Sequence, residues 1–346
     1  MSKAVFNILP TMIGSMPHTD PQKAMLAVIK YLPQIAAWPQ LPKRDYFEQM
    51  ASQFSQKFPG LVLDTDDNAT VLEQPFTVEF SSLYEDYLAG DFSKYDLSLQ
   101  YASGFNAYMN TASLSPTIAK GQMTGPLTFG TSVKDEKGKA IIYDQNKRQA
   151  ICMFLRLKAM WQESRLRAHS PHTLLFLDEP MMVSFGSAYL PLSQDEVTDM
   201  LDQVMESLQG LKGLHICGRT DWEMLLKMPQ LDVLNFDAYK YAYTLELYQQ
   251  QVKDFFRQGK AIAWGIVPTN EEELKNETVA SLRDRLEEYM AFYTRGENAI
   301  SFKEACALSL LTPTCGLSTL TEEACDTALQ MLSELSQNMR QKYGSY

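Results

Sequence analysis

Positive charge is scarce in this sequence of 346 residues. Lysine and arginine together number 31, against 42 aspartates and glutamates, and the net charge is −11 at pH 7. Binding to phosphate backbones needs a concentrated basic surface, which no stretch of the chain supplies. We therefore expect no nucleic-acid partner. A small molecule, or a partner protein with a basic face, fits this charge better.

Long apolar runs are absent as well. No run approaches the roughly 20 residues that a membrane-spanning helix needs. The first residues, MSKA, lack the basic segment and the apolar core of a signal peptide. We expect a cytoplasmic protein without a membrane partner.

Cysteine is sparse, with five residues in the chain. In a reducing compartment so few cysteines point to metal binding or burial and not to disulfides. Cys152, Cys306 and Cys325 lie in apolar or alanine-containing helical contexts, where a free cysteine behaves as a small hydrophobic residue. Two cysteines, Cys217 and Cys315, are left as candidates for chemistry.

Strand-like and helix-like segments alternate from end to end, which is the pattern of βα units around a parallel sheet. No GxGxxG fingerprint favours an open dinucleotide-binding sheet. Eight such units predict one closed (β/α)8 TIM barrel domain over residues 1–346. The predicted strands are 7–13, 61–63, 118–124, 173–177, 211–217, 233–236, 261–266 and 307–311. The predicted helices are 21–31, 44–58, 97–109, 143–169, 193–208, 221–227, 245–256, 276–294 and 321–343.

Polar and small residues follow these predicted strands at the point where each strand ends. In a TIM barrel the carboxyl ends of the strands surround the active site, so these residues are expected to meet at one rim. A structural protein has no reason to place them there. The candidates are Gly14 and Ser15 after the first strand, Asp178 and Glu179 after the fourth, His215 and Cys217 in the fifth, Asp237 after the sixth and Cys315 after the eighth.

The sharpest of these candidates is the pair His215 and Cys217, which are one residue apart. An isolated pair of this kind is usually a buried cysteine beside a histidine bonded to the backbone. Cys315, at another predicted strand end, changes that interpretation, because the eighth strand can face the fifth across the barrel mouth. Two thiolates and an imidazole at one rim predict a zinc site with its fourth position open, which is a catalytic arrangement.

The charge of these ligands limits the class of reaction that the zinc can support. Two thiolates and a neutral imidazole cancel the charge of Zn²⁺, so the metal activates water less than an all-histidine site does. Such a soft, electron-rich zinc is suited to holding a thiol as a nucleophilic thiolate. A thiol of pKa near 8.5 would then react at neutral pH. The predicted step is alkylation of a thiol.

Three further charged positions leave alternatives open. Asp237 is a candidate fourth metal ligand, a partner that orients His215, or a solvated rim carboxylate. Asp178 or Glu179 could bind a substrate ammonium group, or could cap a helix. Arg219 could pair with a substrate carboxylate or simply cover the rim.

Taken together, the segments resemble the superfamily of cobalamin-independent methionine synthase and uroporphyrinogen decarboxylase over nearly the whole chain. The matching pieces are TMIGSMP at 11–17, KGQMTGP at 120–126, LDEP at 177–180, LHICG at 214–218 and TPTCGL at 312–317. The LHICG segment is also similar to that of methylcobamide:coenzyme M methyltransferases, which use a similar zinc to methylate a thiol from a methyl-corrinoid.

The resemblance implies a (β/α)8 barrel and a set of site residues. Zinc would be bound through His215, Cys217 and Cys315, with the family's acidic ligand falling at Asp237, where a glutamate is usual. The family's contacts to homocysteine would fall at Ile13, Gly14, Ser15 and Asp178.

Two departures from the family narrow the function further. The sequence accounts for one barrel where folate-using synthases carry a second, and no histidine follows His215 to match the family's later catalytic histidine. The arginine-rich motif of the decarboxylases is also absent, and residues 36–42 read AAWPQLP. The leading prediction is a zinc-dependent methyltransferase that methylates a homocysteine-like thiol from a methyl-corrinoid, either free or carried on a corrinoid protein. The alternatives are a folate-dependent methionine synthase-like enzyme and a uroporphyrinogen decarboxylase-like protein that binds a tetrapyrrole.

Overall fold

The computed structural model describes residues 6–64 and 69–343. Within these ranges eight parallel strands form the wall of a (β/α)8 TIM barrel, which confirms the predicted fold class. The barrel strands are β1 (Leu9–Pro10), β2 (Ile35–Ala37), β3 (Ile118–Thr124), β4 (Thr173–Asp178), β5 (Leu211–Ile216), β6 (Val233–Asp237), β7 (Ala261–Val267) and β8 (Ser309–Pro313).

The ring of strands closes in two different ways. The first strand pairs in parallel with the last, with Leu9 opposite Leu310. Between β1 and β2 the connection is an isolated bridge at the rim, where Gln40 N donates to Gly14 O over 3.0 Å and Met16 N donates to Gln40 O over 2.9 Å. Because this bridge lies beyond the end of β1, it holds the segment around Ser15 at the barrel mouth.

Helices surround the barrel, and local capping explains where several of them begin. Asp20 accepts hydrogen bonds from the first turn of the helix that starts with Pro21, and Ser193 and Glu196 form a capping box on another helix. In the described part of the chain the α-helices are Pro21–Tyr31, Met50–Gln53, Glu73–Ala89, Ser103–Met109, Pro126–Ser132, Gln145–Leu166, Gln194–Met205, Trp222–Leu226, Ala238–Leu245, Gln249–Arg257, Glu271–Asn276, Val279–Ala291, Phe302–Ala307 and Glu322–Tyr343. The 3-10 turns are Tyr46–Glu48, Ile141–Tyr143, Pro180–Ser184 and Glu246–Tyr248.

One predicted strand, 61–63, is wrong as a barrel strand. Leu61–Leu63 pairs antiparallel with Ala69–Val71, outside the barrel, and that strand in turn borders Lys134–Asp135. The second barrel strand is instead Ile35–Ala37, which is fully buried and pairs with β3. Both are three-residue apolar runs, and such short runs carry no periodicity that tells a barrel strand from a hairpin strand.

The predicted helices are mostly present, with shorter ends. The segment 44–58 contains only Tyr46–Glu48 and Met50–Gln53, and helix Glu73–Ala89 was not predicted. Among the described residues no helix combines the length and the apolar character that crossing a membrane requires.

Several polar residues lie within the barrel strands, among mostly apolar neighbours. Lys120, Gln122, Asn235 and Thr312 are all fully buried. Each makes hydrogen bonds to neighbouring strands or strand ends, as buried polar groups must. This polar layer is the floor on which the candidate site is built.

Candidate functional site

A cavity of about 320 Å³ opens at the carboxyl ends of the barrel strands. Six of the ten site residues predicted from the sequence line it. They are Ile13, Ser15, Asp178, His215, Cys217 and Cys315. The fold therefore brings the imidazole and the two thiols, which are far apart in sequence, to one place.

The two thiols are hydrogen-bonded to each other, and both cysteines are half-buried. This bond lowers the pKa of Cys217 to about 7, against the opposing effect of burial. The same bond, together with burial, raises the pKa of Cys315. Cys315 thus stabilises the thiolate form of Cys217, which makes Cys217 the more acidic of the two thiols at the cavity.

His215 is held by a neighbour that the sequence analysis did not single out. Its Nδ1 is hydrogen-bonded to Oδ1 of Asn235. The amide nitrogen of Asn235 donates to Ala263 O and to Thr312 Oγ1, both over 2.8 Å, so the amide oxygen must face the histidine. Nδ1 is therefore the protonated nitrogen, and the lone pair of Nε2 is left for a ligand. Burial lowers the pKa of His215 to about 4, so the ring is neutral at pH 7.

The chemistry of this donor set fits zinc. A neutral imidazole with an oriented Nδ1–H and two sulfurs are the ligands that zinc takes in proteins. The positions are not those of bound ligands, since among residues 6–64 and 69–343 no three His, Cys, Asp or Glu side chains stand together in the arrangement that holds a metal ion. In a three-ligand site both thiols would be deprotonated, so bonds from each sulfur to the metal would replace their mutual hydrogen bond.

Asp178 ends β4 and lies at the cavity with a buried carboxylate. Its Oδ1 has no hydrogen-bond partner among the described residues. Burial raises the pKa of this carboxyl group, an effect that the nearby positive charge of Lys120 partly offsets. Leaving a buried carboxylate oxygen without a hydrogen bond destabilises the folded protein, so Asp178 is suited to accept a hydrogen bond from a ligand.

Lys120 is a second residue that the sequence analysis did not assign to the site. Its Nζ donates to Ile13 O over 2.8 Å and to Gln122 Oε1 over 3.3 Å, and it lies over the ring of Phe176. Burial lowers the pKa of this lysine, and the charge of Asp178 opposes that effect. The lysine anchors the backbone of Ile13 at the cavity wall. A lysine inside a predicted strand that has no other charged residue was the available signal.

Glu179 serves a neighbouring helix. Its Oε1 accepts from Leu127 N over 2.8 Å, and its Oε2 accepts from Thr128 N and from Thr128 Oγ1 over 2.8 and 2.6 Å. These bonds satisfy the N-terminus of helix Pro126–Ser132. A Cβ on Gly125 would lie 2.3 Å from Glu179 Oε1, so this position has room only for glycine.

Like Glu179, three other predicted site residues are not among the described residues that line the cavity. Asp237 caps helix Ala238–Leu245 by accepting from Lys240 N over 2.9 Å, and burial raises its pKa to about 6. The negative charge of Asp237 also raises the pKa of Cys217.

Gly14 packs against the side chains of Gln40 and Gln122, where a Cβ would lie within 2.6 Å. Arg219 is exposed to solvent. Whether Asp237 binds metal stays a prediction.

Comparison with known proteins gives the fold. No protein-family model matches the sequence, and no curated protein matches it significantly. The structure is similar to "a B12-independent methionine synthase from Shewanella sp. W3-18-1 in complex with selenomethionine", with a TM-score of 0.58 and 14% identity over 97% of this chain and 98% of that one. It is also similar to a methyltransferase from Methanosarcina mazei, with a TM-score of 0.54 and 16% identity over 92% of this chain and 86% of that one. At these identities the likeness establishes the fold alone: the described residues share the (β/α)8 barrel fold with both structures, and at that level the resemblance expected from the sequence is confirmed.

Proposed function

We propose that the protein is a zinc-dependent methyltransferase that methylates a small, homocysteine-like thiol, with a methyl-corrinoid as the methyl donor. The observation that carries the proposal is the meeting of His215, Cys217 and Cys315 at one cavity, with the histidine oriented by Asn235. The fold shared with a methionine synthase and a methyltransferase supports it.

In this proposal His215 Nε2 and the sulfurs of Cys217 and Cys315 hold the zinc. Asp237, whose charge reaches Cys217, is the candidate fourth ligand. When bound, zinc supplies the Lewis acid that keeps the substrate sulfur in its thiolate form. Asn235 fixes the imidazole so that no energy is needed to select the tautomer.

The remaining cavity residues bind and orient the substrate. Asp178 Oδ1, which has no partner among the described residues, accepts a hydrogen bond from the substrate ammonium group. Lys120 holds the carbonyl of Ile13, so the segment that follows it presents a fixed wall to the substrate backbone. Holding the thiol in one orientation is the main contribution that such residues make to rate.

The transfer is a displacement at the methyl carbon. A sulfur–carbon bond forms and the cobalt–carbon bond breaks, with its electron pair leaving on cobalt as cobalt(I). The thiol proton goes to solvent. A corrinoid is larger than the 320 Å³ cavity, so we place it, free or on a carrier protein, over the open mouth.

The test combines metal content with turnover. Protein purified without chelator is expected to contain zinc and to methylate homocysteine from methylcobalamin, whereas Cys217→Ser is expected to lose most of the metal and at least about 100-fold in rate. Cys306→Ala is the matched control, because Cys306 is buried in a helix away from the cavity.

A zinc-free parent protein, with Cys217→Ser as active as the parent, would end the proposal. Turnover with a methyl-tetrahydrofolate and none with methylcobalamin would instead favour the folate-dependent alternative.

A further inference from the structure

Glu48 is a buried carboxylate that lines the same cavity. It ends the 3-10 turn Tyr46–Glu48 in the loop that follows β2, and only 1% of its surface is exposed. Neither the metal ligands nor the substrate contacts of the proposed function use it. A buried acid at a ligand cavity calls for a partner of its own.

The two oxygens of this carboxylate have different surroundings. Oε1 is hydrogen-bonded to Arg44 Nη1 over 2.7 Å and to Ser103 Oγ over 2.6 Å. Oε2 has no hydrogen-bond partner within residues 6–64 and 69–343. Native proteins satisfy nearly all buried polar atoms, and leaving one unpaired costs about 1–3 kcal/mol. A ligand in the cavity can supply the missing donor.

The carboxylate is also held in place. Asp45 caps the turn that carries it by accepting from Phe47 N over 3.1 Å. Ser103, which bonds Oε1, begins a helix that packs so closely on the loop that a Cβ on Gly104 would lie 1.8 Å from Pro39 O. Oε2 is therefore fixed in advance, which is the property expected of a recognition group.

A second oxygen without a partner in the described part of the chain, Oδ1 of Asp178, belongs to the same cavity but comes from the end of β4. The cavity has a volume of about 320 Å³, whereas an engineered cavity of about 150 Å³ already accepts benzene. It therefore has room for a ligand larger than homocysteine, with donors at two separate points.

We propose that Glu48 is a second substrate-binding carboxylate, and that the substrate is a thiol with an ammonium group at Asp178 and a further amide or amine N–H at Glu48. The identification of the ligand as a thiol rests on the proposed function. Arg44 already balances the charge of Glu48, so a neutral N–H is sufficient at this point. The substrate class is thus an amide-bearing or amine-bearing relative of homocysteine.

Calorimetric titration of the zinc-loaded protein with matched ligands tests this. The probes are homocysteinamide and homocysteinylglycine, each paired with the ester in which oxygen replaces the amide nitrogen, and homocysteine itself. At least one amide is expected to bind about 10- to 100-fold more tightly than its ester, since hydrogen bonds to charged groups are among the stronger ones. In Glu48→Gln that preference should disappear, while the affinity for homocysteine changes less than about threefold.

Glu85→Gln is the matched control, because Glu85 is exposed on helix Glu73–Ala89, and it should retain the amide preference. If neither amide exceeds its ester, or if Glu48→Gln weakens homocysteine as much as Asp178→Asn does, the inference is wrong. Should Glu48→Gln fail to fold, Glu48→Asp, which keeps the charge but withdraws the oxygen, must abolish the preference.

Failure of the proposed function is separable from failure of this inference. The distinguishing experiment is a titration of metal-free protein with 2-aminobutanamide and with the corresponding ester. In this experiment the protein contains no zinc and the ligands contain no sulfur. A Glu48-dependent amide preference there supports the inference even if no thiol is ever methylated. Its absence there, together with its absence in the zinc-loaded protein, overturns the inference.

Discussion

At the scale of single residues, the amide of Asn235 decides which nitrogen of His215 faces the cavity. Its nitrogen is committed to Ala263 O and Thr312 Oγ1, so its oxygen can only accept from the histidine. Partners of this kind behind metal-binding histidines raise metal affinity by fixing the ring and its tautomer. The residue is fully buried and is hydrogen-bonded to the histidine of the site.

Replacing Asn235 by leucine, which has a similar size but no donor or acceptor, is expected to weaken zinc binding by about 10- to 100-fold. Competition with a chelator measures this affinity. Ser309→Ala is the control, since it also removes buried hydrogen bonds, those to Trp264 Nε1 and Ala305 O, but none to the site. Equal zinc affinities in the two variants would contradict the role of Asn235.

Lys158 offers a residue-scale prediction about pH. This lysine is buried, donates to Asp96 O over 3.2 Å and has Lys57 as a nearby like charge. Burial lowers the pKa of Lys158 to about 7 from its ordinary value of 10.5. Between these two values the unfolded chain binds more protons than the folded one, so the free energy of unfolding falls as pH decreases.

Between pH 9 and pH 7 the parent is expected to lose about 2 kcal/mol of stability relative to Lys158→Met. Urea unfolding at several pH values measures this, and the lost bond to Asp96 O adds only an offset that does not depend on pH. Lys137→Met, at an exposed position, should follow the pH dependence of the parent. A constant difference between the parent and Lys158→Met would refute the lowered pKa.

Site residues whose type alone suggests metal binding could be predicted from the sequence. A histidine and two cysteines at strand ends have few other reasons to be there, and His215, Cys217 and Cys315 do meet at the cavity. Asn235, Lys120 and Glu48 could not be found in the same way. Their roles depend on which neighbours they reach across the barrel, and an asparagine or a glutamate has many ordinary positions.

At the scale of elements, helix Pro126–Ser132 depends on a carboxylate from another strand end. Glu179 engages the backbone of Leu127 and Thr128, and the space it occupies is available because residue 125 is glycine. The conformation at this glycine is ordinary, with a φ of −78°, so the requirement is for space alone.

Gly125→Ala is therefore expected to displace Glu179 and to destabilise the protein by about 2–5 kcal/mol, since a buried charge loses its partners. Chemical denaturation measures the change. Gly90→Ala is the matched comparison, because Gly90 has a φ of 66° and no atom of residues 6–64 and 69–343 lies within 4 Å of its Cβ position. Only about 1 kcal/mol should therefore be lost. Equal losses would show that Glu179 is not held in the way described.

The elements also show where sequence patterns carry too little information. Strands β3 to β8 were predicted because each has at least five residues, most of them buried, and is flanked by helices with clear periodicity. The second barrel strand has only three residues, and so does the hairpin strand Leu61–Leu63 that was chosen in its place. Only pairing with β3 distinguishes them, and that contact spans more than 80 residues of sequence.

At the scale of the whole molecule, the barrel is closed by the meeting of its two ends. Phe6 N donates to Ala307 O over 2.8 Å, and Ser336 Oγ in the last helix donates to Ile8 O over 2.7 Å. At the rim the seam continues where Leu317 N donates to Ser15 O over 2.8 Å. Cys315 lies directly beside this seam, so its position relative to Cys217 depends on how tightly the ring closes.

The two ends approach closely at Gly316, where a Cβ would lie 2.0 Å from Ser15 Oγ and 3.3 Å from Ser15 Cβ. Gly316→Ala is expected to push the two ends apart at the rim and to weaken zinc binding at least about 10-fold, because ligand geometry is strict. Chelator competition measures the affinity, and circular dichroism checks that the barrel persists. The double variant Ser15→Ala with Gly316→Ala removes the hydroxyl that causes the clash, so most of the lost affinity should return. If the single variant binds zinc as the parent does, the metal site does not depend on closure of the barrel, and if the double variant is no better than the single one, contact with Ser15 is not the cause.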